Sequence, residues 1–106
     1  MVSTDSQNVG PVHSEFAEDP EYHEILELFA EALPERCGSL IDAFRDGNLR
    51  ELRTLAHQLK GAGGGFGFRE LTARAATLES ACETARHDVI AASFDALLEY
   101  LQRIVV

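Results

Sequence analysis

The sequence predicts an all-α protein: an antiparallel four-helix bundle preceded by an N-terminal tail or a short extra helix. Apolar residues recur at three- and four-residue spacing along successive segments, no segment alternates with the two-residue period of a strand, and short turns containing Gly or Asp separate the segments. Helices with one apolar face each bury it best by packing side by side in alternating directions. We assign residues 1–17 to a flexible tail, with Val12 or Phe16 attaching its end to the body, and residues 18–106 to the helical domain.

The first helical segment is predicted to begin at Asp19-Pro20, since Asp is a preferred N-cap and Pro is tolerated in the first helical turn. Pro34 then either kinks this helix or starts a new one, because proline removes a backbone donor and clashes with the preceding turn. The apolar pattern stops at Asp46-Gly47. Its members are Tyr22, Ile25, Leu26, Phe29, Ala32 and Leu33 before the proline, and Cys37, Leu40, Ile41 and Phe44 after it.

Three further helical segments follow the Asp46-Gly47 turn. Asn48, with Glu51 three residues later, is a variant of the capping box that opens the first of them. This segment runs into a cluster of glycines between residues 61 and 67, and Asp88 is the predicted cap of the last segment. The three apolar faces carry Leu49, Leu52, Leu55, Ala56 and Leu59; Leu71, Ala75, Leu78, Cys82 and Ala85; and Ile90, Phe94, Leu97, Leu98, Leu101 and Ile104.

The composition excludes several functional classes. Nine Lys and Arg against 18 Asp and Glu give a net charge of −9, which argues against nucleic acid and anionic membrane as partners. No apolar run reaches the roughly 18–20 residues that span a bilayer, and the first ten residues lack the order of a secretory signal, so we expect a cytoplasmic protein. Cys37 and Cys82 match no metal or redox spacing and are predicted to be reduced core thiols.

One histidine departs from the apolar pattern of its helix, because His57 lies outside the buried face. A neutral imidazole, with an unperturbed pKa of about 6.5, has a nitrogen lone pair that can attack phosphorus. Lys60, the only lysine, would offset charge on phosphoryl oxygens, and glycines, which each cost a helix about 1 kcal/mol, would permit close approach of a partner. The neighbours of His57 at helical spacing, basic or without a side chain, are Arg50, Arg53, Lys60, Gly61 and Gly64.

This pattern resembles the signature of histidine-containing phosphotransfer (HPt) domains. The resemblance rests on His57-Gln58-Leu59-Lys60-Gly61 with Gly67 ten residues after the histidine, and it extends over about residues 20–103. It implies a four-helix bundle in which His57 accepts a phosphoryl group from a receiver aspartyl phosphate or a kinase and passes it to a receiver aspartate. The flanking segments that also resemble the family are Leu26–Phe29, Leu33–Glu35, Asp46–Leu49 and Leu78–Glu79.

The resemblance also implies the roles of other residues and the partners. Glu79 occupies the position of a carboxylate that accepts the Nδ1 hydrogen of the histidine and leaves Nε2 as the nucleophile. The implied partners are a response-regulator receiver domain, a histidine kinase or both. Apart from the resemblance, an exposed transfer face on a small bundle favours a monomer. From the charges alone, we expect Arg50 and Arg53, with Lys60, to make the docking face basic on an otherwise acidic protein, with Gly61 and Gly64 bare within it.

The sequence predicts a phosphocarrier without ATP binding or autokinase activity, with no cofactor and no metal site of its own. The glycine cluster is not a P-loop, because its lysine precedes the glycines, and it lacks the dinucleotide-binding spacing. Phe66 and Phe68 are candidates for an apolar docking patch and equally for the core.

Two alternatives stay open. In the first, the bundle is a non-phosphorylated interaction or scaffold module in which His57 is incidental. In the second, it binds a metal; His23 and Glu27 share a helical face, but the Glu-x-x-His pairs of di-iron bundles are absent. The histidines available to such a site are His13, His23, His57 and His87.

Overall fold

The computed structural model describes residues 10–106, and within this range the chain is an all-helical bundle, as predicted. Short turns join consecutive helices, so neighbouring helices run antiparallel, and the last helix also contacts the first. One isolated bridge, between Val12 and Ile104, is the only strand-like pairing in this range. The elements are a 3-10 turn, Pro20–Tyr22, followed by α1 (His23–Arg45), α2 (Leu49–Phe66), α3 (Arg69–Thr84) and α4 (His87–Arg103).

Helix α1 runs unbroken through Pro34, so the proline lies within one helix and does not separate two. The predicted apolar face of α1 is buried in part only. Ile41 and Phe44, assigned to the core from their spacing, are 38% and 37% exposed. They lie at the edge of the strip of α1 that faces the other helices, because a helix on the outside of a small bundle buries only part of its circumference. The residues of α1 that are buried are Leu26, Phe29, Leu33, Leu40 and Ala43.

The predicted helix caps are partly correct. Asn48 accepts a hydrogen bond from the Glu51 amide (3.1 Å), but its own amide donates to the Ala43 carbonyl, so only half of the capping box forms. The prediction that Asp88 caps the last helix is wrong. Helix α4 begins at His87, its N-cap is Arg86, and Asp88 lies in the first turn, where its negative charge faces the positive end of the helix dipole.

Helix α2 continues through the glycine cluster and ends at Gly67, whose φ of 81° is the left-handed conformation that glycine adopts without strain. Gly63 allows α2 and α3 to approach closely. A Cβ atom there would lie 2.7 Å from the Thr72 amide nitrogen and 2.8 Å from the Phe68 carbonyl, and it would also overlap the Thr72 hydroxyl. The glycines therefore set the spacing of the two helices as well as baring a surface.

The structure shows how deeply the two phenylalanines after the glycine cluster and the two cysteines are buried. Phe68 is 1% exposed, which rules it out as a docking residue. Phe66 is half-buried and stacks on Phe29, with ring centroids 4.7 Å apart. Of the two thiols, Cys82 is buried, Cys37 is only half-buried, and neither forms a disulfide.

The N-terminal segment that precedes the 3-10 turn contacts the bundle along its described part. The Val12 amide donates to the Arg103 carbonyl (2.8 Å), and the buried Ser14 hydroxyl donates to the Phe66 carbonyl (2.6 Å). Phe16 packs against the core. Val12 and Phe16 are the attachment points that the sequence predicted. The rest of the predicted tail, residues 1–9, lies outside the described residues.

Candidate functional site

The candidate site lies on the face of α2 that points away from the core. Leu52, Ala56 and Leu59 are buried, and His57 follows Ala56 by one residue, about 100° around the helix axis. Its side chain is 67% exposed. The amphipathic pattern of α2 therefore presents this imidazole at the surface of the bundle.

A carboxylate from the neighbouring helix holds the ring. Glu79 on α3 places Oε2 2.8 Å from Nδ1 of His57 and Oε1 2.8 Å from Nζ of Lys60. The Glu79 side chain is only 15% exposed, because it lies in the seam between α2 and α3. Thr72 closes the same seam by donating its hydroxyl to the Lys60 carbonyl (3.0 Å). One carboxylate thus binds the imidazole and the only ammonium side chain at the same time.

The hydrogen bond to Glu79 determines which nitrogen of the ring carries the hydrogen. An ionised carboxylate can only accept, so Nδ1 of His57 carries the hydrogen and donates it. In the neutral ring, Nε2 then bears the lone pair. The resulting imidazole has its nucleophilic nitrogen on the side remote from Glu79.

The surroundings of Glu79 keep it ionised. The hydrogen bond from Lys60, and after it the one from His57, lower the pKa of the Glu79 carboxyl below its ordinary value of 4.5, and partial burial opposes them without reversing the shift. At neutral pH the site therefore holds a full negative charge behind the ring.

The predicted basic face is present, but much of its charge is paired. Arg53 lies 3.5 Å from Oε2 of Glu83, with both side chains about half exposed, and Lys60 is bound to Glu79. Arg50 is exposed and has no side-chain partner among residues 10–106. The local charge is thus less positive than the sequence predicted, because carboxylates on α3 face the bases of α2.

The two predicted docking glycines are bare. Gly61 and Gly64 lie one and two turns after His57, both are exposed, and a Cβ atom at either would have no neighbour within 4 Å. Gly65 is equally open. The surface next to the ring is therefore exposed backbone of α2, as the sequence predicted.

The sequence did not predict that two apolar side chains of α1 are exposed. Leu28 on α1 is 59% exposed, and Ile25, assigned to the core, is 39% exposed. Both lie on the face of α1 that continues to Ala32 at helical spacing. Ala32 and Gln58 line a groove of about 310 Å³ between α1 and α2, which puts this face beside the histidine helix. Leu28 is an apolar residue outside the set predicted to form the buried face of α1. That mismatch was the signal in the sequence for an exposed apolar side chain.

On its other side, the ring borders a shallow cleft. Four side chains line this cleft of about 300 Å³: Arg53, Thr54, His57 and Glu79. The Thr54 hydroxyl donates to the carbonyl of Arg50 (3.0 Å), as a residue in mid-helix often does. The cleft is open and polar, and of its side chains only the Arg53 guanidinium is a fixed cation.

Within residues 10–106, no three or more His, Cys, Asp or Glu side chains are grouped closely enough to hold a metal ion. The helices in the same range include none with the length and apolar content to cross a bilayer.

The fold and the site define a class of protein: an antiparallel helical bundle that presents a histidine at its surface, with a largely buried carboxylate of the neighbouring helix holding the ring. Comparison with known families identifies it further. The Hpt domain family model matches residues 24–105, and the chain belongs to this family, as the resemblance of His57–Gly61 indicated. Comparisons with curated proteins and with solved structures gave no match.

Membership of the family assigns the chain a general role. Hpt domains are histidine phosphotransfer modules of phosphorelays, and in general they are phosphocarriers and not enzymes. They interact with histidine kinases and response regulators.

Proposed function

We propose that this protein carries a phosphoryl group on Nε2 of His57 and exchanges it with the aspartate of a response-regulator receiver domain, with a receiver or a histidine kinase as the donor. The observation that carries the proposal is the 2.8 Å hydrogen bond between Nδ1 of His57 and Glu79 on a ring that is 67% exposed. This bond orients the lone pair of Nε2 outward, where a partner can reach it.

Transfer from a receiver requires only one bond exchange. The Nε2 lone pair forms the N–P bond, the P–O bond of the aspartyl phosphate breaks, and its electron pair leaves with the receiver's carboxylate. The ring, which keeps its Nδ1 hydrogen, becomes positively charged, and the Glu79 carboxylate stabilises that charge. Return of the N–P electron pair to the ring reverses the reaction. Glu79 is thus the histidine-orienting residue of the proposal.

Lys60 is proposed to stabilise the phosphoryl group. Its side chain, one helical turn after His57, is 37% exposed, and its ammonium lies 2.8 Å from Glu79. From there it can move toward the phosphoryl oxygens while staying near the carboxylate. Transfer of this kind depends on positioning and charge compensation more than on covalent chemistry by the protein.

The partner is proposed to dock around His57 on the bare backbone of α2 at Gly61 and Gly64, with Arg50 and Arg53 as basic contacts. The exposed Leu28 adds an apolar contact on the α1 side. Docking that depends on exposed basic residues weakens as salt screens them. If receiver binding did not change with salt concentration, the basic residues would have no part in docking, and the apolar and backbone contacts alone would account for it.

The proposal also includes a cytoplasmic location and a monomeric state. The partner supplies the phosphoryl group, and the metal ion belongs to the receiver. The protein has no nucleotide site and does not phosphorylate itself. Incubation with labelled ATP alone, in which no label should enter the protein, tests this part.

The decisive experiment is transfer to the protein from a phosphorylated receiver and, separately, from phosphoramidate, a small P–N phosphoryl donor. We expect an acid-labile, base-stable label that disappears in His57→Gln. His87→Gln, which removes another exposed histidine, is the control and keeps the label. A label that persists in His57→Gln would place the phosphoryl group on another residue and contradict the proposal, whereas no label from several receivers and from phosphoramidate would favour the non-phosphorylated scaffold.

A further inference from the structure

The cation that faces the cleft beside the ring is Arg53. We infer that Arg53 is a phosphoryl-binding residue of the site, and that Glu83 holds it in the unphosphorylated protein and releases it when His57 is phosphorylated. The inference rests on the proposed function, because it requires a phosphoryl group on His57.

Of the four side chains that line the cleft, only one can donate hydrogen bonds to an anion there. Glu79 can only accept hydrogen bonds, and the hydroxyl hydrogen of Thr54 is used by the Arg50 carbonyl. The guanidinium of Arg53 is therefore the side chain of the cleft that can donate to phosphoryl oxygens bound to His57. Its planar pair of N–H groups fits two oxygens of a phosphoryl group at once.

The charge of the site also requires a further cation. The ammonium of Lys60 is bound 2.8 Å from Glu79, so much of its charge is already compensated. A phosphoryl monoester-type group adds about 1.5 to 2 negative charges at neutral pH. After transfer the ring and Lys60 carry one positive charge each, against one negative charge on Glu79 and about 1.5 to 2 on the phosphoryl group, so about 0.5 to 1 negative charge is left over. Arg53, one turn before His57 and lining the same cleft, can compensate it.

The pairing of Arg53 with Glu83 is suited to exchange. The two side chains are 3.5 Å apart, which is long for a charge-assisted hydrogen bond, and they are 50% and 51% exposed. Exposed pairs of this kind contribute little to stability. Arg53 lies one turn before His57 on α2, and Glu83 lies one turn after Glu79 on α3. The guanidinium therefore contacts Glu83 and also lines the cleft beside His57.

The inference predicts effects of opposite sign for the two partners. A nearby cation lowers the pKa of a phosphoryl group, because it stabilises the dianion. Arg53→Gln should therefore raise the pKa of the phosphoryl group on His57, and Glu83→Gln, which frees Arg53, should lower it, each by about half a pH unit. Arg53→Lys should recover part of the wild-type value.

The measurement is a pH titration of the ³¹P chemical shift of the full chain after loading with phosphoramidate. In loading, the Nε2 lone pair of His57 forms the new N–P bond while the P–N bond of the nitrogen-protonated donor breaks. Its electron pair leaves with the nitrogen as ammonia, so no protein partner is needed. The matched controls are Arg86→Gln and Asp88→Asn, a similarly exposed arginine–carboxylate pair 3.9 Å apart at the start of α4. They should leave the phosphoryl pKa unchanged.

The outcomes separate this inference from the proposed function. If His57 is loaded and the two pKa shifts have opposite signs, Arg53 binds the phosphoryl group. If His57 is loaded but Arg53→Gln and Glu83→Gln behave as the controls do, the inference is wrong and the carrier function stands. If the wild-type protein does not load at His57, both fail.

Discussion

Glu79 on α3 reaches across the seam to α2 and lies 2.8 Å from Nδ1 of His57. Because this contact is made between two helices, the orientation of the ring depends on how α2 and α3 pack. The same carboxylate binds Lys60, so the groups proposed for nucleophile, orientation and charge compensation form one connected unit. Groups that act as a unit give non-additive effects when they are removed singly.

Replacement of Glu79 should separate orientation from charge. In Glu79→Gln the amide oxygen can still accept the Nδ1 hydrogen but the negative charge is lost, whereas Glu79→Ala removes both. We expect transfer rates to fall in the order wild type, Gln, Ala, with a loss of about 10- to 100-fold for Ala, the range found when the partner behind a metal-bound histidine is removed. Single-turnover transfer from a phosphorylated receiver measures this. Equal rates for all three proteins would contradict an orienting role.

Lys60→Ala should slow transfer by about tenfold with the fold intact, because an exposed ammonium that helps compensate phosphoryl charge is lost. Lys60→Arg, which retains a cation at the same position, should recover most of the rate. Far-ultraviolet circular dichroism and the same single-turnover assay give the two readouts. If Lys60→Ala transfers at the wild-type rate, the residue has no part in stabilising the phosphoryl group.

Gly63→Ala should destabilise the protein by about 1–3 kcal/mol, because the added methyl group would overlap Thr72 and the Phe68 carbonyl and force α2 and α3 apart. Gly65→Ala is the matched control: its methyl group meets open space, and the higher helix propensity of alanine should stabilise the protein by up to about 1 kcal/mol. Urea unfolding at neutral pH measures both. A neutral or stabilising Gly63→Ala would contradict the close approach of the helices.

Gly61→Gln and Gly64→Gln should slow transfer from a receiver by at least about tenfold, since a side chain there would hold the partner away from His57. Labelling by phosphoramidate, a donor small enough to pass the new side chain, should be retained. Ala92→Gln, at an exposed position on α4, controls for the added surface amide. If receiver and phosphoramidate reactions slow equally, the glycines act on the ring itself and not on docking.

Stability should depend on pH through Glu79. The pKa of its carboxyl is lowered in the folded protein by Lys60 and then His57, so its stabilising contribution is complete above the ordinary value of 4.5 and is lost as the pH falls through the lower folded value. The free energy of unfolding of wild type should therefore exceed that of Glu79→Gln at neutral pH, and the difference should shrink below pH 4.5. Urea titrations at several pH values measure this. A difference that is constant with pH would contradict the ionised contact.

The sequence could predict features that depend on one helix at a time. The position of His57 on an exposed face of α2 and the bare glycines beside it follow from helical periodicity, which needs no knowledge of the other helices. Glu79 was assigned from the family resemblance, since spacing within one helix does not say which residue of another helix will meet a given side chain. Phe68 was left open because an aromatic residue in a turn suits the core and the surface equally.

Features that depend on how helices pack could not be predicted. Ile41 and Phe44 fit the apolar pattern of α1 yet stay partly exposed, because the width of the buried strip is set by the neighbouring helices. The pairing of much of the charge on the basic face was not predicted for the same reason: the sequence shows the bases on α2 but not the carboxylates that α3 brings opposite them.

The amino-acid pattern by itself thus determined the helices and the exposure of the His57 imidazole, because hydrogen bonding within a helix and the burial of its apolar side are local consequences of residue order. Only the tertiary structure decided which charges meet. The register of α3 against α2, maintained by the close contact at Gly63, pairs Glu79 with His57 and Lys60, and Glu83 with Arg53. Electrostatic energies depend on distances of a few ångströms between residues far apart in the chain, and those distances exist only once the helices have packed.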